Sequence, residues 1–310
     1  MQRNRRKFVT ALGGMVAGSA CAAYWGATSQ RRAARWMRTI VADARRAILP
    51  VPVKPTPGNW SDNKVTIAWL GHATVLINFF GVRILTDPAL FSRIGIRTGF
   101  GIAGPKRYVA CALKPQELPP IDLILLSHAH LDHMDLSSLA KVNAPILTAK
   151  DTRDILPSRR RVTELGWDER TTLNFKNGDL EIRAIEVKHW GQRWPSERER
   201  GYNGYVLQRG GRSILFGGDT ADTRLDLRGP YDAAIMPIGA YDPWIHNHCT
   251  PEQALAMVNA VRANYIIPVH HQTYRLSNEP MMEPIERLTA ALSTEPERLA
   301  IRRIGETCQI

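Results

Sequence analysis

The sequence predicts one domain of mixed α and β structure in which strands outnumber helices. Three observations predict it: the length of the chain, an ordinary globular composition and a succession of strand-like apolar segments. The chain has 310 residues, of which 44% are hydrophobic and 23% charged. A chain of this size can bury a core without disulfide support. Its four cysteines form no C-x-x-C pair, so neither a structural zinc knuckle nor a dithiol site is expected.

Nine segments have the pattern of β-strands. Short runs rich in branched and aromatic residues, bounded by Gly, Pro or Asp, are typical of strands. The run at 121–126 is almost continuously apolar and predicts a strand that is buried on both faces. The predicted strands are 65–70, 73–80, 82–86, 121–126, 180–187, 202–207, 213–216, 233–236 and 265–269.

Helices are fewer in the predicted structure. The clearest begins at Thr250, where Thr250 and Gln253 have the spacing of a capping box and Pro251 occupies the first turn. Further helices are predicted near 136–142, 152–156 and 282–292. No repeat of 20 to 50 residues is visible, so these elements belong to one domain.

The positive charge of the chain is concentrated at its amino terminus. The net charge is +12, but residues 1–50 hold ten basic residues and one acidic residue, or +9. The other 260 residues hold 31 basic and 28 acidic residues, or +3. A nearly neutral body argues against a nucleic-acid-binding domain, and we expect no nucleic-acid partner.

Residues 1–30 resemble an export signal. A basic segment that contains Arg5 and Arg6 precedes the uncharged apolar stretch 8–27, and the paired arginines are similar to those of a twin-arginine signal. The apolar stretch is also long enough to span a bilayer, so a retained membrane anchor is the alternative. We expect a periplasmic protein or one attached to the periplasmic face of the inner membrane; a cytoplasmic location is the other possibility.

Residues 31–58 are expected to connect this segment to the body of the protein, at 59–310. The stretch 31–49 predicts a basic helix with one apolar side, which either rests on anionic lipid or is solvated. Contact with a membrane surface through residues 1–49 therefore stays open. Prolines alternate with other residues at 50–58, which excludes a helix there and predicts an extended linker.

A cluster of histidines and aspartates marks a metal site. His128, His130, Asp132 and His133 follow directly after the buried strand predicted at 121–126. Functional groups of α/β folds concentrate at the carboxyl ends of strands, and zinc binds imidazole nitrogen and carboxylate oxygen. The two histidines that are two residues apart can bind one ion, while the Asp-His pair can reach a second. The spacing therefore predicts metal ligands.

The H-x-H-x-D-H pattern is the signature of the metallo-β-lactamase superfamily, and other parts of the chain are similar to that superfamily's motifs in the same order. The resemblance implies an α+β fold, the αββα four-layer sandwich of the metallo-β-lactamase type. The matching positions are Asp87 in ILTDP, His189 in VKHWGQR, Asp219 in LFGGDT and His270 in IPVHHQTY.

The resemblance implies two Zn²⁺ ions. The ligands of the first ion would be His128, His130 and His189, and those of the second would be Asp132, His133 and His270, with Asp219 bridging both ions. Asp87 would not be a ligand but would order the histidine loop. His270 and His271 are neighbours whose side chains are expected to point apart, and the motif selects His270.

Within the superfamily, the chain most resembles N-acyl-phosphatidylethanolamine-hydrolysing phospholipase D and its bacterial relatives, over about residues 59–290. The motifs WLGHATVLI, LSHAHLDHMD, PIGAYDP and PVHHQTYRLSNEP carry this similarity. Two positions depart from the pattern. Leu131 stands where the mammalian phospholipase has an aromatic residue, and His271-Gln272 stands where relatives commonly have Trp-Gly.

This resemblance implies a hydrolase that cleaves phosphodiester bonds, such as those of N-acyl-phosphatidylethanolamine-type phospholipids, by attack of a metal-bound hydroxide. Asp132 and Asp219 would hold the ions and accept a hydrogen bond from the water, and His248 is the candidate general acid. His72 and His271 are expected beside the ligands or the substrate. The alternatives are a zinc-dependent lactonase, or another ester or amide-ring hydrolase, acting on a small molecule, and a membrane-tethered binding protein with an inactive site.

Overall fold

A computed structural model describes residues 43, 46–99, 101–176, 178–194 and 196–310. The predicted export signal at 1–30 and most of the predicted basic helix at 31–49 lie outside these residues. Among the helices of the described part, none is both long enough and apolar enough to cross a membrane.

The described residues form fifteen strands. In chain order they are β1 (Val65–Gly71), β2 (Thr74–Phe79), β3 (Val82–Thr86), β4 (Ile96–Thr98), β5 (Gly101–Ala103), β6 (Leu123–Leu125), β7 (Ile146–Ala149), β8 (Val162–Leu165), β9 (Arg170–Phe175), β10 (Gly178–Ile185), β11 (Gly204–Arg209), β12 (Arg212–Phe216), β13 (Tyr231–Pro237), β14 (Ala263–Val269) and β15 (Thr307–Gln309). The α-helices that lie wholly within the described residues are α1 (Leu136–Leu139), α2 (Pro251–Ala260) and α3 (Glu283–Ala291). Single 3₁₀ turns occur at Pro57–Asn59, Pro115–Glu117, Arg153–Ile155 and Pro296–Arg298.

The strands form two large mixed sheets and one small hairpin. The seven-stranded sheet has the order β15-β1-β2-β3-β6-β7-β8, and the six-stranded sheet has the order β14-β13-β12-β11-β10-β9. The hairpin pairs β4 with β5. One apolar core contains residues of both large sheets, among them Leu76 and Ile84 of the first and Tyr205 and Phe216 of the second. The sheets therefore pack face to face.

Helices α2 and α3 cover the outer face of the six-stranded sheet. Val258 and Leu288 of these helices share a second apolar cluster with Met236 of β13 and Ile266 of β14. Helix α2 begins as predicted. The Thr250 side chain accepts a hydrogen bond from the Gln253 amide, and the Gln253 side chain accepts one from the Thr250 amide. The predicted α+β sandwich is confirmed.

All nine predicted strands are present, with ends that shift by a few residues. The strands that the sequence pattern missed are short or lie at sheet edges. For example, β9 has no residue that is fully buried, and the three residues of β15 pair only with β1. The helix expected at 152–156 is only the 3₁₀ turn Arg153–Ile155, and the one expected at 136–142 ends at Leu139. Pro157 follows the first of these and cannot continue an α-helix.

The segment that precedes the first sheet packs against the body. Leu49 forms a parallel bridge with Val109, and the Arg46 guanidinium donates to the carbonyl oxygens of Lys106 and Arg107, each at 2.8 Å. Arg46 also pairs with the buried carboxylate of Asp43 at 2.9 Å. These contacts hold Asp43, Arg46 and Leu49 against residues 106–109.

Candidate metal centre

Strand direction brings the predicted ligands to one edge of the sandwich. In the seven-stranded sheet β1, β3 and β6 run the same way, and in the six-stranded sheet β10, β12, β13 and β14 run the same way. Their carboxyl ends therefore meet where the two sheets pack. The side chains at this edge follow β1 (His72), β3 (Asp87), β6 (His128, His130, Asp132 and His133), β10 (His189), β12 (Asp219), β13 (His248) and β14 (His270).

The first group of ligand atoms consists of three imidazole nitrogens. His128 Nε2 lies 2.7 Å from His130 Nδ1, and His189 Nε2 lies 3.3 Å from the same atom. All three residues are buried. The three nitrogens lie close enough together to bind one ion.

The second group combines carboxylates with imidazoles. His72 Nε2 lies 2.9 Å from Asp132 Oδ2, and His270 Nε2 lies 3.5 Å from the same oxygen. His133 Nε2 lies 3.6 Å from it. The four residues offer ligand atoms within 4.8 Å of one another.

One carboxylate oxygen lies between the two groups. Asp219 Oδ2 is 3.1 Å from His133 Nε2 and 3.2 Å from His270 Nε2 in the second group. It is also 3.8 Å from His189 Nε2 in the first. Asp219 therefore stands in the position of a bridging ligand, with its other oxygen, Oδ1, buried and without a hydrogen bond.

Asp87 anchors the loop that carries four of these ligands. Its carboxylate accepts hydrogen bonds from the Ser127 amide (2.7 Å), the Ser127 hydroxyl (2.6 Å) and His133 Nδ1 (2.7 Å). Because the Ser127 hydroxyl proton points to Asp87, its oxygen accepts from His128 Nδ1 at 2.8 Å. Asp87 thus orients one histidine of each group directly or through Ser127.

These hydrogen bonds fix which nitrogen of each ring is free. A carboxylate or carbonyl oxygen only accepts, so His133 Nδ1 carries a proton, and so does His189 Nδ1, which donates to the Asn247 carbonyl at 2.8 Å. His128 Nδ1 is also protonated, because the Ser127 hydroxyl donates its proton to Asp87 and can only accept from His128. In a neutral ring the Nε2 atom then presents a lone pair toward the centre, as a metal ligand must.

The buried polar atoms at the centre fit a cation. His133 Nε2 and His270 Nε2 are buried and make no hydrogen bond, although each lies near Asp219. Buried polar groups rarely lack a partner, and here they point at a common space. The three residues of the first group, the four of the second and Asp219 offer the nitrogen and oxygen donors that zinc and similar divalent ions take.

The three histidines of the first group have pKa values below the usual value for histidine. Burial and the nearby charge of His133 lower the pKa of His128 well below its usual value. Burial and His189 do the same to the pKa of His130. Burial lowers the pKa of His189 to about 4. These rings are therefore neutral at pH 7, which is the form that binds metal.

In the second group, burial lowers the pKa of His72 to about 3, but the pKa values of His133 and His270 are raised. Burial favours neutral rings, but the carboxylate of Asp219, followed by that of Asp132, outweighs it and raises the pKa of His133 well above its usual value. The same two carboxylates raise the pKa of His270 to about 9. Burial works against ionisation of Asp132 and Asp219 too, yet His133 holds the pKa of both well below the usual range.

Backbone strain coincides with the centre. His72, Asp87 and His270 have φ values of 55°, 33° and 63°, in the left-handed region that residues other than glycine seldom adopt. Such conformations persist where the surrounding structure enforces them, and they cluster at functional sites. His72 is enforced by its amide, which donates to Thr273 Oγ1 at 2.6 Å.

The other two predicted histidines lie differently. His248 is buried, and its Nδ1 stands 3.9 Å from Asp219 Oδ2. His271 points away from the ligand groups, and its ring stacks on Trp69 at a centroid distance of 4.5 Å. The structure therefore brings His248, but not His271, to the ligand atoms.

Sequence reasoning missed Ser127 and Trp190. Ser127 forms hydrogen bonds with both Asp87 and His128. The centroid of the Trp190 ring lies 4.4 Å from that of His130 and 4.2 Å from that of His189. Both residues adjoin a ligand in the sequence, and that adjacency was the available signal. It could not indicate a role, because the contacts depend on how the two sheets pack.

Comparisons with known proteins identify the family of the chain. The model of the beta-lactamase superfamily domain matches residues 83–271. An N-acyl-phosphatidylethanolamine-hydrolyzing phospholipase D of Caenorhabditis elegans is 32% identical over 252 residues, which cover 74% of this chain and 70% of the relative. A metal-dependent hydrolase of Pyrococcus furiosus is 26% identical and matches 79% of this chain and all of the relative. Among solved structures, the isothiocyanate hydrolase from Delia radicum gut bacteria has a TM-score of 0.60 at 19% identity and covers 78% of this chain and 98% of its own.

Proposed function

The chain belongs to the beta-lactamase superfamily and is a metal-dependent hydrolase, and on that premise we propose that it cleaves phosphodiester bonds with two zinc ions. The observation that carries the proposal is the pair of ligand groups that share Asp219. A shared carboxylate is suited to two cations held close together. The similarity to a phospholipase D supports a phosphodiester as the substrate.

The donor atoms support zinc. The first group offers only imidazole nitrogen apart from Asp219, whereas Mg²⁺ and Ca²⁺ prefer oxygen ligands. Iron also accepts imidazole and carboxylate ligands, so the metal must be identified directly. Elemental analysis of the purified protein should give about two zinc per chain. One ion per chain, or a predominance of iron, would contradict this part of the proposal.

Two bound zinc ions would supply a water of lowered pKa and stabilise the negative charge that develops on the phosphate. Asp132 and Asp219 are ionised and buried, so they can accept hydrogen bonds from that water as well as hold the ions. Burial lowers the pKa of His248 well below its usual value, so its ring is neutral at pH 7. In this proposal the neutral His248 ring donates a hydrogen bond to the leaving oxygen, and the proton that completes the leaving alcohol comes from the attacking water.

Apolar side chains adjoin the ligand loop. Leu131 lies between His130 and Asp132 in the sequence, and Trp190 packs against the rings of His130 and His189. An apolar surface beside a metal centre suits a substrate that combines a phosphodiester with hydrocarbon. We therefore include N-acyl-phosphatidylethanolamine-type phospholipids in the substrate class.

A panel of substrates tests the reaction. The panel contains bis-(p-nitrophenyl) phosphate, vesicles with N-acyl-phosphatidylethanolamine, a lactone and a β-lactam, each assayed with zinc-loaded protein. We expect hydrolysis of the two phosphodiesters. Faster hydrolysis of the lactone would favour the lactonase alternative, and zinc-loaded protein that cleaves none of the four would favour a binding protein.

We also propose that residues 1–30 export the protein through a twin-arginine pathway to the periplasm or to the periplasmic face of the inner membrane. The support is the Arg5-Arg6 pair before an uncharged apolar stretch. Replacing both arginines by lysine in the full chain should leave the protein in the cytoplasm, as measured by cell fractionation. Unchanged fractionation would contradict the proposal.

A further inference from the structure

The buried side chain of Arg193 donates hydrogen bonds to both ends of the histidine loop, residues 129–134. Arg193 lies four residues after His189 and is 6% exposed. Its Nη1 donates to the carbonyl oxygens of Ala129 at 2.6 Å and of Met134 at 3.1 Å. These two carbonyls lie on either side of His130, Asp132 and His133 in the sequence, so a single guanidinium closes the loop that carries them.

The position of Arg193 is fixed by contacts with nearby residues of the same segment, between β10 and β11. Its amide donates to Glu197 Oε2 at 3.1 Å, and Glu197 pairs with the buried guanidinium of Arg200. Arg200 pairs in turn with Asp154 at 2.6 Å, and Asp154 lies in the 3₁₀ turn that follows β7. The segment between β10 and β11 is therefore tied to the seven-stranded sheet. Arg193 acts from a fixed position.

The anchors of the individual ligands differ. His128 and His133 are oriented by Ser127 and Asp87, and Asp132 accepts from His72 at 2.9 Å. The His130 ring has no such outer partner: its Nδ1 faces the nitrogens of His128 and His189, and its Nε2 is buried without a hydrogen-bond partner. Its orientation depends on packing against Trp190 and on the path of the loop backbone.

We propose that Arg193 is a positioning residue for His130. By fixing the carbonyls of Ala129 and Met134, it sets the backbone path that directs His130 Nδ1 toward His128 Nε2 and His189 Nε2. Loss of Arg193 should therefore weaken metal binding in the first group more than in the second. Asp132 and His133 keep His72 and Asp87 as partners, and His270 follows β14, outside the loop. Outer partners of metal ligands commonly contribute about 10- to 100-fold in affinity.

Arg193→Met tests the proposal by removing the donors while it keeps much of the apolar stem. The full-length protein is stripped of metal and titrated with Zn²⁺ against a chromophoric chelator, which gives an affinity for each of two binding steps. We expect one step to weaken by about 10- to 100-fold and the other to stay near the wild-type value. This inference rests on the two-ion part of the proposed function, which the titration of the wild-type protein checks by itself. Because no substrate is involved, a failure of the phosphodiesterase activity would leave the result unaffected.

Arg209→Met is the matched control. Arg209 is also a buried arginine whose guanidinium donates to backbone carbonyls, those of Gly178 and Phe80. It lies beside the start of β10, whereas His189 follows the end of that strand, a separation of roughly 25 Å for an eight-residue strand. Its loss should lower stability without changing either Zn²⁺ affinity.

Arg193→Lys covers the case in which Arg193→Met does not fold. Lysine keeps the charge and can bond one carbonyl, so its Zn²⁺ affinity should lie between those of wild type and Arg193→Met, or below wild type if only the lysine variant folds. The proposal is overturned if a folded Arg193 variant binds both ions as wild type does. It is also overturned if both steps weaken equally, or if Arg209→Met has the same effect.

Discussion

The two groups of ligands share a loop and a bridging carboxylate, but they differ in charge. In the first group the rings of His128, His130 and His189 have lowered pKa values and are neutral at pH 7. In the second, carboxylates raise the pKa of His133 and His270. Without a bound metal ion these two rings are therefore protonated on both nitrogens and positively charged at pH 7.

The difference shows what compensates buried charge at each group. Asp132 and Asp219 are buried and ionised, and an uncompensated buried carboxylate is costly. In the ion-free protein, the protons on His133 and His270 supply the balancing charge. A divalent ion in the second group must displace those protons, whereas an ion in the first group meets rings that are already neutral.

Asp219→Ala should have the largest effect, because it abolishes the feature that the two groups share. Without the bridging oxygen we expect turnover of bis-(p-nitrophenyl) phosphate to fall by at least about 10³-fold, since metal-centred charge stabilisation contributes several kcal/mol. Steady-state kinetics with protein of measured zinc content checks this. Full activity in the variant would refute the bridging role.

The pH dependence of metal binding should separate the groups. His270 is protonated below about 9, so Zn²⁺ must displace a proton there at pH 6 to 8. The Zn²⁺ affinity of that step should fall about tenfold for each unit by which the pH is lowered, and more steeply if His133 must also lose a proton. The step at the first group should stay nearly constant, because the pKa of His189 is about 4. Equal pH slopes for both steps in Zn²⁺ titrations at pH 6, 7 and 8 would contradict the charge difference.

Asp87→Asn should weaken both groups together. The amide cannot accept from Ser127 and from His133 Nδ1 as the carboxylate does, and these bonds orient one histidine in each group. We expect both Zn²⁺ affinities to fall by about 10- to 100-fold. Chelator competition measures them, with thermal unfolding as a check that the variant folds. Weakening of a single step would show that Asp87 serves only one group.

His72→Asn should have the smallest effect and should be confined to the second group. Asparagine tolerates the left-handed backbone of this position, but its shorter side chain does not reach Asp132 Oδ2. The affinity of the second group should fall about tenfold and that of the first should not change. His271→Asn is a suitable comparison, because that ring stacks on Trp69 away from the ligands. Equal losses in the two variants would argue that His72 acts only through packing.

The sequence predicted the elements whose signals are local. Strands β1, β2 and β3 are predominantly apolar segments separated by short turns, and the capping box at Thr250 defines the start of α2. The predicted helix at 152–156 was wrong in type, since only one 3₁₀ turn forms there. Strands such as β9 were missed because their residues are polar and half-exposed, and a partner strand determines that they extend.

The sequence by itself determined the chemistry of the centre. The spacing of His128, His130, Asp132 and His133 after a buried strand is a local pattern, and local geometry directs those side chains to one end of that strand. Only the tertiary structure decided the roles of His72, His271 and Arg193. Their partners lie 60, 202 and about 60 residues away in the chain, so the contacts exist only once the two sheets pack. The charge of each ligand group also arises there, since a pKa responds to burial and to neighbours that no sequence interval specifies.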